Sequence, residues 1–177
     1  MSSLSKQFIL NQGAILGGLQ VLLLIILYKT DTLFGSGWSS LSWFIYLGFI
    51  YWSAVQYRGK FMGGFISYGK SFAYGVKITV LSGVIIGFFF FVLIKFVDPG
   101  LAEVLKAETE EAYLQMGLTE KQVEDMGDGL AMISNPWYLM LSNVFSGLLF
   151  GVIFSLIVSF FVKRKGDPFS EAMKIVE

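Results

Sequence analysis

Cysteine and histidine are both missing from the 177-residue chain. Their absence excludes disulfides, cysteine nucleophiles, iron–sulfur clusters, histidine metal sites and histidine acid–base catalysis. It also leaves the redox compartment without a mark in the sequence. Charge is scarce: Asp, Glu, Lys and Arg make up 15% of residues, against about 25% in a soluble domain. No dense Lys/Arg face occurs outside short loops, so nucleic-acid binding has no support. Carboxylates are absent from the long apolar runs, the nearest being Asp31 and Asp98 at their edges. Proton relays and cation-coupled carriers depend on buried carboxylates, which disfavours transport of that kind. No internal repeat of the inverted-repeat transporter type is visible.

Hydrophobic residues, at 55%, dominate what is present. The chain reads as one all-α, polytopic membrane domain over residues 1–177, with spans predicted at 8–28, 41–57, 67–97 and 139–162. A hydrocarbon core about 30 Å thick needs about 20 apolar residues in a helix. The first run is long for a signal-peptide core and no A-x-A-like cleavage site follows it, so it is expected to stay as a helix. Gly13, Gly17 and Gln20 share one of its faces, and Gln20 is expected to turn toward another helix rather than lipid. Trp43, Trp52 and Tyr57 are spaced along the second run as interfacial anchors, with Arg58 and Lys60 at its edge. The third helix is expected to start at Ser67, a good N-cap. Lys70, Tyr74 and Lys77 then fall on one face by i, i+4, i+7 spacing, and Lys77 is expected to snorkel outward.

Residues 98–138 form an acidic extracytoplasmic insert. Nine acids stand against Lys106 and Lys121, a net charge of −7. Pro99 and Gly100 stop the third helix. Leu101, Leu105, Ala112 and Met116 then recur at helical spacing, with Gly117 as C-cap. A second insert helix is expected from Thr119, whose pairing with Gln122 matches a capping box, and it would present Val123, Met126 and Leu130. Asn135 and Pro136 read as N-cap and first residue of the last helix. Lys163-Arg164-Lys165 closes that span and begins a cytoplasmic tail, 163–177. In it Asp167 and Pro168 can start a short helix with Phe169, Ala172, Met173 and Val176 on one face. Such a stripe suits a surface or docking helix, with a frayed tail as the alternative. The Lys/Arg bias of the short loops places eight cations inside and four outside, with Lys77 between, when both termini are cytoplasmic.

Helices in lipid associate by close backbone approach. Two stripes at spacing four meet that need: Gly75, Thr79, Gly83 and Gly87 in the third span, and Asn143, Gly147, Gly151, Ser155 and Ser159 in the fourth. They predict tight antiparallel packing of those helices in a right-handed crossing.

Signals for chemistry are weak. Ser71 beside Lys70 or Lys77 raises a Ser–Lys dyad, but a basic turn accounts for the same residues. Gly64 to Ser71 formally satisfies G-x-x-x-x-G-K-[ST], yet it follows a membrane span rather than the strand that a phosphate loop requires. Arg58, Lys60, Lys70 and Lys77 near a helix N-terminus could hold an anionic lipid headgroup, with plain positive-inside anchoring as the alternative. No metal ligand set or cofactor motif is expected.

Two spans, the turn GGFISYGKSFAYG from Gly63, a long third helix, an acidic helical insert, Asn135-Pro136 and a final span closed by Lys163-Arg164-Lys165 together resemble a known family. It is the family catalogued as domain of unknown function four-one-nine-nine. The resemblance covers residues 8 to 165 and implies a four-helix inner-membrane protein of the Bacteroidota. It implies no reaction, ligand or catalytic residue.

The leading functional expectation is a non-enzymatic accessory or assembly subunit in contact with a membrane-protein partner or a second copy of itself. The alternative is a small lipid- or solute-binding carrier with a site near Lys77 and Gln20.

Overall fold

A computed structural model describes residues 3–30, 32–33 and 40–164. The tail beyond 164, with its helix from Pro168, therefore lies outside the described residues, as do Asp31 and Trp38. Among the described residues the secondary structure is helical throughout, without strands. The helices are α1 (Ser3–Lys29), α2 (Leu41–Phe61), α3 (Tyr68–Val92) with a π-helical last turn (Leu93–Val97), α4 (Leu101–Gln115), α5 (Glu120–Asp125), α6 (Gly127–Ile133) and α7 (Pro136–Val162).

Three helices are long and apolar enough to cross a bilayer: Ser3–Lys29, Tyr68–Val97 and Pro136–Val162. Three, not four, is a correction to the sequence expectation. The helix that falls short is α2, which has 21 residues. Its length is adequate, but its apolar character is carried by Trp43, Tyr46, Tyr51, Trp52 and Tyr57, and Gln56, Arg58 and Lys60 occupy its last turns. Such residues favour the interface over the hydrocarbon interior. Phe88, Leu141, Phe145, Ile153 and Phe160 face outward and are exposed. Apolar side chains covering the outside of a helix bundle require an apolar solvent. Three such helices, with apolar outer faces, are consistent with an integral membrane protein.

At the centre stands α3, which packs on α7 along one face and on α1 along another. Toward α7 it presents Gly75, Thr79, Gly83 and Gly87. A Cβ added to Gly147 would sit 3.0 Å from both Gly83 Cα and Thr79 O, and one added to Gly87 2.6 Å from Met140 O. Only hydrogen fits between these backbones. Toward α1, α3 presents Ile78, Leu81 and Ile85, and Gly13 and Gly17 receive them: a Cβ at either would fall within 2.9 Å of Leu81 or Ile85. The small residues of α1 are thus a second packing seam. α2 leans more loosely over α1, α3 and α7.

Local signals set most helix ends. Ser67 Oγ accepts the Lys70 N–H at 3.4 Å and opens α3. Asn135 Oδ1 accepts the Trp137 N–H at 2.9 Å, with Pro136 opening α7. Gly63 and Gly64, with φ of 61° and 86°, reverse the chain between α2 and α3 in a conformation that side chains disfavour.

The insert differs from expectation in one respect. It holds three helices rather than two, because the segment starting at Thr119 breaks at Met126 into α5 and α6. Gly127 and Gly129 follow at once, and their backbone freedom weakens a continuous helix there. The capping box is present: Gln122 Oε1 accepts the Thr119 N–H at 2.8 Å, and Thr119 Oγ1 the Gln122 N–H at 3.3 Å. Val123 and Leu130 are buried, whereas Met116 and Met126 are exposed.

Candidate functional site

Two ends and one cavity between them carry the polar features. At the first end, the start of α1, the end of α2, the start of α3 and the end of α7 come together. Tyr57 stacks on Tyr74 with ring centroids 4.4 Å apart. Ser53 Oγ and Tyr74 OH share a hydrogen bond, and Ser5 Oγ lies 3.0 Å from Tyr57 OH. Sequence spacing put Tyr74 on one face with Lys70 and Lys77. The structure turns Tyr74 into the bundle toward Ser53 and leaves both lysines exposed.

The four cations singled out in the sequence have different environments. Arg58 is half-buried and its guanidinium donates to Val162 O at 2.8 Å. It caps the carbonyl end of α7, where a cation also suits the helix dipole. One turn away, Ile66 and Arg164 exchange backbone bonds, Ile66 N–H to Arg164 O at 3.1 Å and Arg164 N–H to Ile66 O at 3.0 Å. The turn after α2 is thereby clasped to the end of α7. Lys60 is exposed, 3.1 Å from Gln56 Oε1 and over the Phe8 ring at 5.3 Å. Lys70 and Lys77 are exposed on α3, while Ser71 is buried. The two members of the suspected Ser–Lys dyad face opposite ways, and Ser71 is withdrawn from the turn where a phosphate-loop serine would work.

At the opposite end, the insert is fastened to the bundle. Tyr28 OH donates to Asp98 Oδ2 at 2.7 Å. Leu101 and Ala102 of α4 are buried against Leu93, Ile94 and Leu139. The acids point away from this apolar base: Glu103, Glu111, Glu120, Glu124, Asp125 and Asp128 are exposed. Among the described residues the one ion pair is Lys106–Glu110 at 3.9 Å, on half-exposed side chains, a weak interaction in water. A groove of about 440 Å³ runs between α4 and the α5–α6 pair, with Glu110, Glu120 and Glu124 along it and Val123 and Leu130 at its floor. The result is a fixed, negatively charged surface.

Between these ends, a cavity of about 240 Å³ lies among α1, α2, α3 and α7. Gln20 of α1 reaches it and donates to Ser42 O at the start of α2, at 3.1 Å. Asn143 and Gly147 of the α7 stripe line it too, but Lys77 does not. The sequence expectation of one site near both Gln20 and Lys77 is therefore corrected. Lys77 lies on the outer surface of α3, while Gln20 is buried in the bundle. Tyr46 and Trp43 of this cavity, and the Arg58 cap, escaped sequence reasoning as paired features, because their partners lie on other helices.

The match to a family model spans residues 11–164, from within α1 to the clasp at Arg164, and the model is described as "Protein of unknown function (DUF4199)". The chain belongs to the DUF4199 family. The matched region takes in most of α1, all the later helices, the insert and the cavity, and of the described residues leaves out only the first turns of α1 with Ser5 and Phe8. No curated protein and no solved structure matches the chain.

Proposed function

We propose that this DUF4199 protein is a non-enzymatic subunit that acts through contacts, as an accessory or assembly component of a membrane complex. The observation that carries the reading is the anchored acidic insert. A net charge of −7 over residues 98–138 is held on three short helices tied down by Tyr28–Asp98 and by the apolar seat of α4. An acidic tail would need no such fastening, whereas a docking surface gains from it because less order is lost on binding. Its partner carries a basic segment, since charge complementarity steers and orients association. A second copy of the chain is the other assembly partner to test for.

In this reading the protein sits in the bacterial inner membrane of a Bacteroidota cell, and α2, although it falls short of the measure that the three long helices meet, makes a fourth crossing. The three long helices are joined by α2, which runs beside them and ends level with the starts of α1 and α3 through Ser5–Tyr57 and Ser53–Tyr74. Both termini and the Arg58–Arg164 edge are cytoplasmic, and Lys60, Lys70 and Lys77 contact anionic lipid there. Purification in mild detergent followed by mass spectrometry of proteins and lipids tests the proposal. A membrane-protein partner or a defined homo-oligomer is expected with the wild type and is lost from a Glu111→Lys/Glu124→Lys double variant. A monodisperse monomer without partners in both cases would overturn it.

A further inference from the structure

The cavity among α1, α2, α3 and α7 has properties that a packing defect lacks. It is a pocket of about 240 Å³ that opens to the outside of the bundle past the half-exposed Trp43, room enough for a ring, since a sealed apolar void of about 150 Å³ already takes up benzene. Neither Asp, Glu, Lys nor Arg lines it. A phosphate or an ammonium would be stranded there without a counter-charge, at a cost too large for binding. Its occupant is uncharged.

Polar groups nevertheless line it from both α1 and α7. The Gln20 amide uses one N–H on Ser42 O at 3.1 Å, and the Asn143 amide uses one on Leu139 O at 2.8 Å. Each –NH₂ group has two hydrogens, so a second donor remains on α1 and another on α7. Ser146 adds a hydroxyl on the α7 wall. In hydrocarbon these donors have no water to bond, so an acceptor that enters between them replaces a costly deficit with hydrogen bonds. The remaining walls are aromatic and aliphatic, with Trp43 and Phe150 tilted against each other at a centroid distance of 6.0 Å. Flat rings pack well on such faces.

We propose that this cavity binds the headgroup of an isoprenoid quinone, an uncharged flat ring with carbonyl acceptors on opposite edges. Gln20 and Asn143 donate to the two carbonyls, and Trp43 and Phe150 pack on the ring. This site is independent of the acidic docking surface.

The test uses the full chain in phosphatidylcholine nanodiscs, titrated with a decyl-substituted naphthoquinone. Tryptophan emission reports binding, because Trp43 is in the wall and quinones quench indole fluorescence. Saturable quenching is expected, together with a raised unfolding temperature. Gln20→Leu and Ser146→Phe, which remove a donor and fill the void, are each expected to weaken binding about ten-fold, equivalent to about 1.4 kcal/mol. If either variant fails to fold, competition on the wild type decides: a decyl alcohol of equal chain length should not displace the quinone. Quenching that rises linearly with quinone in the membrane, equal in wild type and folded variants, would overturn the proposal. So would equal displacement by the alcohol, which would mark the cavity as a lipid-filled void.

Discussion

Gly147 shows how much a single hydrogen atom decides in this protein. Its Cβ, if it had one, would lie 3.0 Å from Gly83 Cα and Thr79 O, both backbone atoms of α3 that cannot turn aside. Gly147→Leu is therefore expected to force α3 and α7 apart, at the 1–3 kcal/mol typical of overpacking and beyond. Denaturation in mixed micelles should show it as an early midpoint. Gly18→Leu is the control: Gly18 has no atom within 4 Å of its would-be Cβ, so its midpoint should stay close to wild type. Equal behaviour of the two variants would mean that the stripe does not set the packing. Arg58 gives a second expectation at this scale. Its bond to Val162 O ends α7, and charge-assisted bonds of this kind contribute about 1.5–3 kcal/mol. Arg58→Gln should lower stability while leaving the amount of co-purified anionic lipid unchanged, whereas Lys60→Gln and Lys70→Gln should do the reverse.

At the scale of elements, the insert offers the cleanest experiment because its helices are short and most of its acids are exposed. Gly129 lies within α6 and has open space around it. Gly129→Ala should stabilise α6 by about 0.5–1 kcal/mol, by restricting the unfolded chain more than the folded one. Hydrogen exchange should slow in residues 127–133 and remain unchanged in α4. Which elements were legible in advance follows from the range of the interactions that make them. Ser67, Thr119 with Gln122, Asn135 with Pro136, and Gly117 with φ of 93° all act within one helical turn, and each is readable from neighbours in the chain. The glycine stripes were readable because spacing four is a property of one helix, even though their partners are on another. The break at Met126 was not read, although Gly127 and Gly129 within three residues signalled it. Tyr74 pointing inward was not readable from spacing, because its direction is set by Ser53 and Tyr57 on α2. Nor was the Arg58 cap, since Val162 lies on the far side of the insert in sequence. The cavity depends on four helices at once, and no local pattern could disclose it.

On the scale of the whole molecule, a formal charge of zero hides a separation. The end where α2 meets α3 carries Arg58, Lys60, Lys70, Lys163 and Arg164, and the opposite end carries the acidic insert. Antiparallel packing of α3 on α7 keeps these ends about a bilayer apart, since 25 residues of helix rise about 37 Å. Their sign asymmetry favours the basic end in the cytoplasm, where lysine and arginine resist translocation. The natural absence of cysteine makes single-cysteine labelling clean, because no background thiol competes. In intact spheroplasts, Glu111→Cys should react with a membrane-impermeant maleimide, and Lys60→Cys should react only after the membrane is opened. Both positions are exposed in the fold, so a failure to react reports sidedness rather than burial. Reaction of Lys60→Cys from outside, with Glu111→Cys protected, would invert the topology. It would also place the acidic surface in the cytosol, where a docking partner would have to be sought instead. A third position, the exposed Leu41→Cys at the start of α2, tests whether α2 crosses. If α2 spans, Leu41→Cys and Glu111→Cys react on one side and Lys60→Cys alone on the other. Reaction of Leu41→Cys only together with Lys60→Cys, after the membrane is opened, would show that α2 does not cross.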